Sequence, residues 1–345
     1  MEPFKKINFS SENYAGVHPK MMEALMAANT GNAASYGNDE ITKSTVAQFK
    51  QVFGENIEAY FTFNGTGANN FGLSCMLDRF NSIFCTDVAH LYVDESTAPE
   101  SFLGCRIYPV KSHNGKIIAD ELNVAIKRIG DVHHPQPKVV SLTQPTEYGT
   151  VYTVEELKDI KTICTANNML LHVDGARFYN AADHLGSTLK QISTDAGVDV
   201  LTLGGTKIGM MMGEAVIFFN PANASSLKYN LKRSMQLASK NRFIAIQFQA
   251  LLKDNLWQEM ARHTNELAKF FAQEIAGMPS VKLAYPVETN AAFLNISPGL
   301  HEKMQEFASF YYWNDERSEA RLIFSFDNTE DDVKQFVEKL RELAG

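Results

Sequence analysis

The 345-residue chain lacks the usual marks of secreted, membrane-spanning and nucleic-acid-binding proteins. It has only four cysteines (Cys75, Cys85, Cys105 and Cys164), in apolar segments without paired spacing, so we expect free thiols and neither a disulfide framework nor a metal site. No apolar run reaches the roughly 20 residues of a membrane-spanning helix, and the N-terminus has no apolar signal-peptide core. The net charge is -8 and no basic stripe stands out. We therefore expect a cytoplasmic protein with no membrane or nucleic-acid partner.

From about residue 57, short apolar segments alternate with amphipathic ones. The predicted strands read IEAYFTF, SIFCT, CRIYPV, KVVSLTQ, MLLHVD, VDVLTL and EAVIFF. They are apolar throughout instead of alternating, as expected for strands covered on both faces. One intervening helix is marked by a capping box of Thr153 and Glu156. The pattern predicts an α/β fold with a seven-stranded, mostly parallel sheet.

The pattern changes after Asn220-Pro221. Residues 223–275 are predicted to be mostly helical, and VKLAY, AAFLNIS and ARLIFSFD are predicted strands between helices at 300–310 and 330–343. We therefore expect a large domain over 1–254, including the N-terminal arm, and a small C-terminal α+β domain over 255–345.

An aspartate and a lysine follow two of the predicted strands. LLHVDGAR places Asp174 at a strand end with Arg177 three residues on, and VDVLTLGGTK places Lys207 in a glycine-containing loop. Pyridoxal 5′-phosphate (PLP) needs an acid at its pyridine nitrogen and an amine that forms a Schiff base. Each residue alone is more typical of an ordinary surface loop, but together, with the flanking apolar runs, they indicate a PLP site.

The segment FNGTGANN lies where a strand gives way to a helix. Gly65 and Gly67 would let backbone N–H groups approach an anion, the helix N-terminus adds a favourable dipole, and Thr66 adds a hydroxyl. No Gly-Lys-Ser/Thr follows, so this is not a Walker A loop. A plain tight turn is the alternative, but the position upstream of Asp174 and Lys207 favours a phosphate site.

His90 follows another short predicted strand, in TDVAHLYVDE. A single histidine is often just a satisfied polar residue. The functional alternative is a ring stacked on the cofactor that passes protons near the substrate.

With these residues in view, the chain resembles the low-specificity L-threonine aldolases, which are fold type I (aspartate aminotransferase-like) PLP enzymes. The segments SSENYAGVHP, TEYGTVY, HVDGARF and GGTKIGM carry the resemblance, which runs from Ser11 to about Asp327. It implies a lyase that cleaves L-threonine, L-allo-threonine and related β-hydroxy-α-amino acids to glycine and an aldehyde.

The resemblance also implies roles for individual residues. Lys207 would carry PLP, Asp174 would bind the pyridine nitrogen, and His90 would stack on the ring and act in catalysis. The other cofactor-binding residues would be Gly65, Thr66, Gly67, Arg177, Thr206 and Arg242. The substrate would be bound by Ser11, Tyr36, Arg177 and Arg321. Tyr36 would come from a neighbouring subunit, as in a homotetramer built as a dimer of dimers with shared sites.

One segment departs from the family pattern. Many members have Glu-Asn-Thr-His after the strand that ends here at Thr143, whereas this chain has Gln144-Pro145-Thr146-Glu147. The histidine that elsewhere contacts the substrate hydroxyl is missing, and Glu147 lies nearest its place. His90, directly or through water, becomes the first candidate for the base, and Glu147 is either a replacement or a solvated loop acid.

Two other classes of function stay open on the sequence. The Asp174–Lys207 pair would serve an aminotransferase or a β-eliminating lyase equally well. A non-catalytic, PLP-fold or phosphate-binding scaffold is the alternative from outside enzymology, and a protein without a lysine-bound chromophore would favour it.

Overall fold

A seven-stranded sheet forms the centre of the protein. The structure, a computed structural model, describes residues 6–221 and 224–344. Its strands are β1 (Ile7–Asn8), β2 (Ile57–Thr62), β3 (Asn81–Thr86), β4 (Arg106–Val110), β5 (Ser112–His113), β6 (Lys116–Ile117), β7 (Gln136–Thr143), β8 (Leu170–Gly175), β9 (Val200–Leu203), β10 (Glu214–Phe219), β11 (Lys282–Leu283), β12 (Ala291–Asn295), β13 (Ala308–Ser309), β14 (Tyr311–Asn314) and β15 (Glu319–Ile323). The central sheet has the order β2-β10-β9-β8-β7-β3-β4. Strand β10 runs antiparallel to both β2 and β9, and the other neighbouring pairs of this sheet are parallel, which confirms the predicted α/β class with a mostly parallel sheet.

Helices cover both faces of this sheet, as the apolar strands require. They are α1 (Pro19–Ala28), α2 (Glu40–Phe53), α3 (Gly65–Ser74), α4 (His90–Val93), α5 (Ala98–Leu103), α6 (Ala119–Ala125), α7 (Val154–Ala166), α8 (Phe178–His184), α9 (Ala224–Arg233), α10 (Arg242–Leu252), α11 (Leu256–Glu274), α12 (Pro298–Gln305) and α13 (Glu330–Ala344). The main core lies on the face of α1, α2, α7, α8 and α10, and a second cluster under α3, α5 and α9 fills the other face. The capping box predicted for α7 is present, since the side chains of Thr153 and Glu156 each accept the other's backbone N–H.

A smaller antiparallel sheet, in the order β11-β12-β15-β14, has its own core with α12 and α13. The N-terminal arm belongs to this core as well, because Phe9 is fully buried in it and β1 pairs with β13. The helix predicted at 300–310 is too long: it ends at Gln305, and the unpredicted strands β13 and β14 follow. Strand β13 pairs with residues 7–8, which are remote in sequence, so local pattern could not reveal it. Strand β14 was missed although its partner, at 319–321, is near in sequence and forms a hairpin with it.

Helix α11 connects the two cores. Trp257 and Met260 in its first half pack in the main core, while Leu267 and Phe271 in its second half pack in the smaller one. The division between residues 254 and 255 therefore falls just before a helix shared by both cores, and it stays a prediction. Within 6–221 and 224–344, no helix is both long and apolar enough to cross a membrane.

Candidate active site

A cavity of about 590 Å³ collects most of the residues singled out from the sequence. It lies beyond the ends of β7, β8 and β9, and the small sheet closes it with Tyr311, Trp313 and Arg321. The predicted residues on its wall are Ser11, Gly65, Thr66, His90, Asp174, Arg177, Thr206, Lys207 and Arg321, together with Glu147. Gly67, Tyr36 and Arg242 are not part of that wall.

Lys207 reaches the cavity from a short 3-10 turn, Thr206–Ile208, just after β9. The two preceding glycines are sterically required, because a Cβ at Gly204 would overlap the carbonyl of Ala176 and one at Gly205 would overlap that of Gly213. Gly204 therefore lets the loop after β9 pack against the segment that follows β8, and Gly205 lets it pack against the residue that precedes β10. Burial lowers the pKa of Lys207, and the charge of Arg177 acts in the same direction. The amine is thus more easily deprotonated than a surface lysine, as a nucleophile requires.

Asp174 ends β8 and is 8% exposed. Its Oδ2 accepts a hydrogen bond from Asn69 Nδ2 at 2.8 Å, and its Oδ1 accepts one from the backbone N–H of Ala176 at 3.0 Å. Asn69 belongs to α3, the helix that begins at the glycine turn. The same helix therefore presents its N-terminus to the cavity and fixes the orientation of the carboxylate.

The start of α3 fits the expected phosphate site only in part. Asn64 caps the helix, its Oδ1 accepting from Gly67 N–H at 2.8 Å. A Cβ at Gly65 would meet open space, whereas one at Gly67 would overlap the side chain of Gln236. The first N–H groups of a helix have no intrahelical acceptor, so Gly65 and Thr66 can offer donors to an anion, while Gly67 makes room for Gln236.

His90 is the first residue of α4, and two acids contact it. Its Nδ1 lies 3.0 Å from Oε1 of Glu95, and its backbone N–H donates to Oε1 of Glu147 at 2.9 Å. The hydrogen bond to Glu95 raises the pKa of His90, and Asp174 acts in the same direction. His90 is therefore not an isolated polar residue, because it lies on the wall of the cavity and contacts two acids, and its role in proton transfer stays a prediction.

Glu147 is not a solvated loop acid. Its Oε1 also accepts from the hydroxyl of Thr143 at 2.7 Å, and its Oε2 is shielded from solvent without a partner in the described residues. Burial raises its pKa to about 7. Glu147, which stands near the place of the missing family histidine, is thus a carboxyl group on the cavity wall that can hold or release a proton near neutral pH.

Arg177 is already paired within the chain. Its Nε and Nη2 donate to Oε1 and Oε2 of Glu12 at 2.6 and 3.0 Å, and Glu12 also accepts from Asn290 at 2.8 Å. Burial by itself raises the pKa of Glu12, but the charge and hydrogen bonds of Arg177 outweigh it and the pKa falls to about 2. Glu12 therefore stays ionised and neutralises Arg177.

Arg321, on β15, is held differently. Its guanidinium lies 4.3 Å from the ring centroid of Trp313 and 5.2 Å from that of Tyr311, and Nη2 donates to the carbonyl of Ser10 at 3.3 Å. Its Nε is buried and lacks a partner among the described residues. Burial, followed by the charge of Arg177, lowers its pKa to about 10, so it remains a cation at neutral pH. Arg321 can therefore accept an external carboxylate without breaking an ion pair.

Two predicted residues lie away from this chain's own cavity. Tyr36 is 49% exposed, and its N–H donates to the carbonyl of Ser239. Arg242 begins α10, and its guanidinium lies 4.9 Å from the ring centroid of Phe243. Neither reaches the cavity within one chain, and their site roles stay predictions.

Glu214 is a buried acid that the sequence did not single out. It begins β10, and its Oε2 accepts from Gly205 N–H at 2.6 Å, so it holds the loop that carries Lys207. Burial raises its pKa to about 7. The run EAVIFF gave no hint of this role, because the partner of Glu214 is a backbone group.

The strand order of the central sheet and the small antiparallel sheet together place the protein in the class of fold type I enzymes. The family model of the beta-eliminating lyases matches residues 8–298. A low-specificity L-threonine aldolase of Pseudomonas aeruginosa is 39% identical over 98% of both chains, and one of a Pseudomonas species is 38% identical over 96% of both. The solved structure of a threonine aldolase from Leishmania major superposes with a TM-score of 0.92 at 27% identity, covering 98% of this chain and 100% of that one. The chain therefore belongs to the beta-eliminating lyase family and, within it, to the low-specificity L-threonine aldolases.

Proposed function

We propose that this protein is a PLP-dependent lyase that cleaves L-threonine, L-allo-threonine and related β-hydroxy-α-amino acids to glycine and an aldehyde. The observation that carries the proposal is the presence of Lys207, Asp174 and the available guanidinium of Arg321 on one cavity. The aldolases of two Pseudomonas strains, 38–39% identical over nearly the whole chain, support it.

The cavity suits PLP in its chemistry. A phosphate group matches the N–H donors of Gly65 and Thr66 at the start of α3, the pyridine nitrogen matches the carboxylate of Asp174, and the aldehyde matches the amine of Lys207. The hydroxyl of Thr206 accepts from Gly213 N–H, which fixes the Lys207 turn. When bound, PLP supplies an electron sink for the substrate carbon.

The residues of this chain then orient the substrate. A planar guanidinium binds a carboxylate through two parallel hydrogen bonds, and Arg321 has the donors available for this. Ser11 lies on the same wall and can add a hydroxyl. Fixing the carboxylate determines which bond at Cα is aligned for cleavage, which is the part of catalysis that comes from orientation.

Cleavage also requires that the β-hydroxyl proton be removed. As this proton leaves, the Cα–Cβ bond breaks and the aldehyde departs, and a proton delivered to Cα completes glycine. His90 is the proposed acceptor, directly or through water, with Glu147 beside it. Removing such a base typically lowers the rate by about 10²–10⁴-fold.

We also propose that both β-epimers react. The arginine fixes the configuration at Cα, whereas a base acting through water leaves Cβ less constrained. Aldehyde release measured with alcohol dehydrogenase should therefore occur with L-threonine and L-allo-threonine and not with their D-isomers. The two L-epimers should differ by less than about a thousandfold in kcat/KM, the range that a direct polar contact exceeds.

Controls separate this activity from its alternatives. Lys207→Ala should abolish aldehyde release and the yellow colour that borohydride bleaches. Pyruvate and ammonia from L-serine as the main products would show a β-eliminating lyase instead. A wild-type protein that stays colourless with PLP and releases no aldehyde would refute the proposal.

A shared site in a homotetramer, arranged as a dimer of dimers, is the assembly that we propose. Phe63 and Met212 on the cavity wall are 39% and 45% exposed in the single chain, and Tyr36 and Arg242 lie away from this chain's cavity. A neighbouring subunit would cover the first pair and receive the second. Light scattering that finds a fully active monomer would refute this.

The four free cysteines fit a reducing compartment, so we propose a cytoplasmic location.

A further inference from the structure

A buried hydrogen-bonded chain lies behind His90 and connects it to Asp174. Oε1 of Glu95 lies 3.0 Å from Nδ1 of His90 and accepts from Nδ2 of Asn69 at 3.0 Å. The same Asn69 nitrogen donates to Oδ2 of Asp174 at 2.8 Å. Because an amide nitrogen carries two hydrogens, Asn69 can satisfy both carboxylates at once. The side chain of Glu95 is fully buried, so water does not compete for it.

This chain determines which ring nitrogen of His90 carries the hydrogen. A carboxylate can only accept, so Nδ1 must donate to Glu95, and in the neutral ring Nε2 keeps the lone pair. Glu147 holds the backbone N–H of the same residue, so the histidine is fixed at its backbone and at its ring.

The network is not satisfied by the protein alone. Oε2 of Glu95 and Oδ1 of Asn69 are buried without a partner in the described part of the chain. Buried polar atoms are nearly always paired in structural networks, and exceptions call for another explanation. A functional role is such an explanation here. Glu95 lies between Asp174, which is predicted to bind the cofactor nitrogen, and His90, which is predicted to move protons.

We propose that Glu95 is a positioning residue that fixes His90 in the Nδ1–H tautomer, so that Nε2 presents its lone pair to the cavity. Asn69 fastens Glu95 to Asp174, so the three side chains move as one unit. The proposal rests on the proposed function at one point: the proton that His90 accepts is the β-hydroxyl proton of the proposed substrate.

The charges around His90 predict what happens when Glu95 loses its charge. The hydrogen bond from Glu95 raises the pKa of His90, burial lowers it, Asp174 raises it, and Lys207 lowers it. Glu147 contacts the backbone N–H and not the ring. The variant Glu95→Gln keeps the shape and removes the charge, so the pKa of His90 should fall, by about one pH unit for a contact of this kind.

Nitrogen NMR of the histidine-labelled holoenzyme tests the proposal without relying on turnover. The His90 signal is identified by its loss in His90→Asn. The wild-type neutral ring should show a protonated Nδ1 and an unprotonated Nε2, and Glu95→Gln should lower the pKa of the ring by about one unit. Glu100→Gln, the same chemical change five residues further on, should leave that pKa unchanged.

Activity provides a second measurement. If neutral His90 is the base, the acid limb of kcat/KM should move to lower pH in Glu95→Gln by the same amount as the NMR pKa. A wild-type ring protonated at Nε2 would overturn the proposal even if Glu95→Gln failed to fold. So would a His90 pKa that Glu95→Gln leaves unmoved. A protein with no aldolase activity but the Nδ1–H tautomer would refute the proposed function and leave the role of Glu95 standing.

Discussion

The Glu12→Gln variant should lower the free energy of unfolding by about 3 kcal/mol. Glu12 contacts Arg177 through both oxygens, and its side chain is only 3% exposed. Its pKa falls from 4.5 to about 2. At about 1.4 kcal/mol per pH unit, this fall corresponds to roughly 3 kcal/mol. Breaking a buried ion pair by removing one partner costs about 3–5 kcal/mol, because the other charge is left uncompensated.

Urea unfolding followed by tryptophan fluorescence measures this loss. Protein and PLP concentrations are held fixed, since binding and assembly both shift apparent stability. Glu40→Gln is the matched control, because its ion pair with Lys43 is exposed and its loss should cost less than about 0.5 kcal/mol. The double variant Glu12→Gln with Arg177→Met should lose less than the sum of the two single changes, since no charge is left unpaired.

The pH dependence follows from the same pair. The pKa of Glu12 is depressed in the folded state, so its contribution is fully present above the unfolded value of 4.5 and is lost as the pH falls towards about 2. The difference between wild type and Glu12→Gln should therefore be constant from pH 6 to 8 and shrink below pH 4.5. A loss under about 1 kcal/mol at pH 7, or a difference that grows on acidification, would refute the reasoning.

Three further predictions concern the cavity. Asp174→Asn should fold but lose turnover by orders of magnitude, because no charge remains to hold the pyridine nitrogen protonated; near-normal kcat would show that another acid does this. Arg321→Lys should raise KM for L-threonine more than it weakens PLP binding measured by absorbance titration, because lysine lacks the planar fork; equal effects on both would argue against a carboxylate site. Glu147→Gln should remove an ionisation near pH 7 from the kcat/KM profile and change the ratio of threonine to allo-threonine cleavage. An unchanged profile and ratio would limit Glu147 to a structural role.

The sequence predicted those parts of the protein that local pattern specifies. Apolar runs with both faces covered revealed the seven strands of the central sheet. Asp174 and Lys207 were found because each follows an apolar strand segment, Lys207 in a glycine-containing loop, and because PLP needs an acid and an amine. The helix predicted at 300–310 was too long because it included β13, whose partner β1 lies near the other end of the chain. Strand β14 was missed as well, although its partner β15 is near in sequence.

Two supporting residues of the site escaped detection because, as for β13, their partners are remote in sequence. Glu12 lies 165 positions from Arg177, and Asn69 lies 105 positions from Asp174. Glu95 is only five residues from His90, but acids and histidines at that spacing are common on exposed turns, and only burial distinguishes this pair. A signal for Glu12 was present, since it is the single charged residue in the SSEN segment of the N-terminal arm.

Burial raises the pKa of Glu12, Glu147 and Glu214, yet these three acids end in two different states. Glu12 has a guanidinium in direct contact, and its pKa falls to about 2. Glu147 and Glu214 meet only N–H and O–H donors, and burial raises the pKa of each to about 7. Among these three acids, direct contact with a cation, and not depth, therefore separates the permanent anion Glu12 from two acids that can exchange a proton near neutral pH. Because Glu12 neutralises Arg177, we propose that Arg321, whose buried Nε has no partner among the described residues, contributes more to binding the carboxylate of an amino-acid substrate.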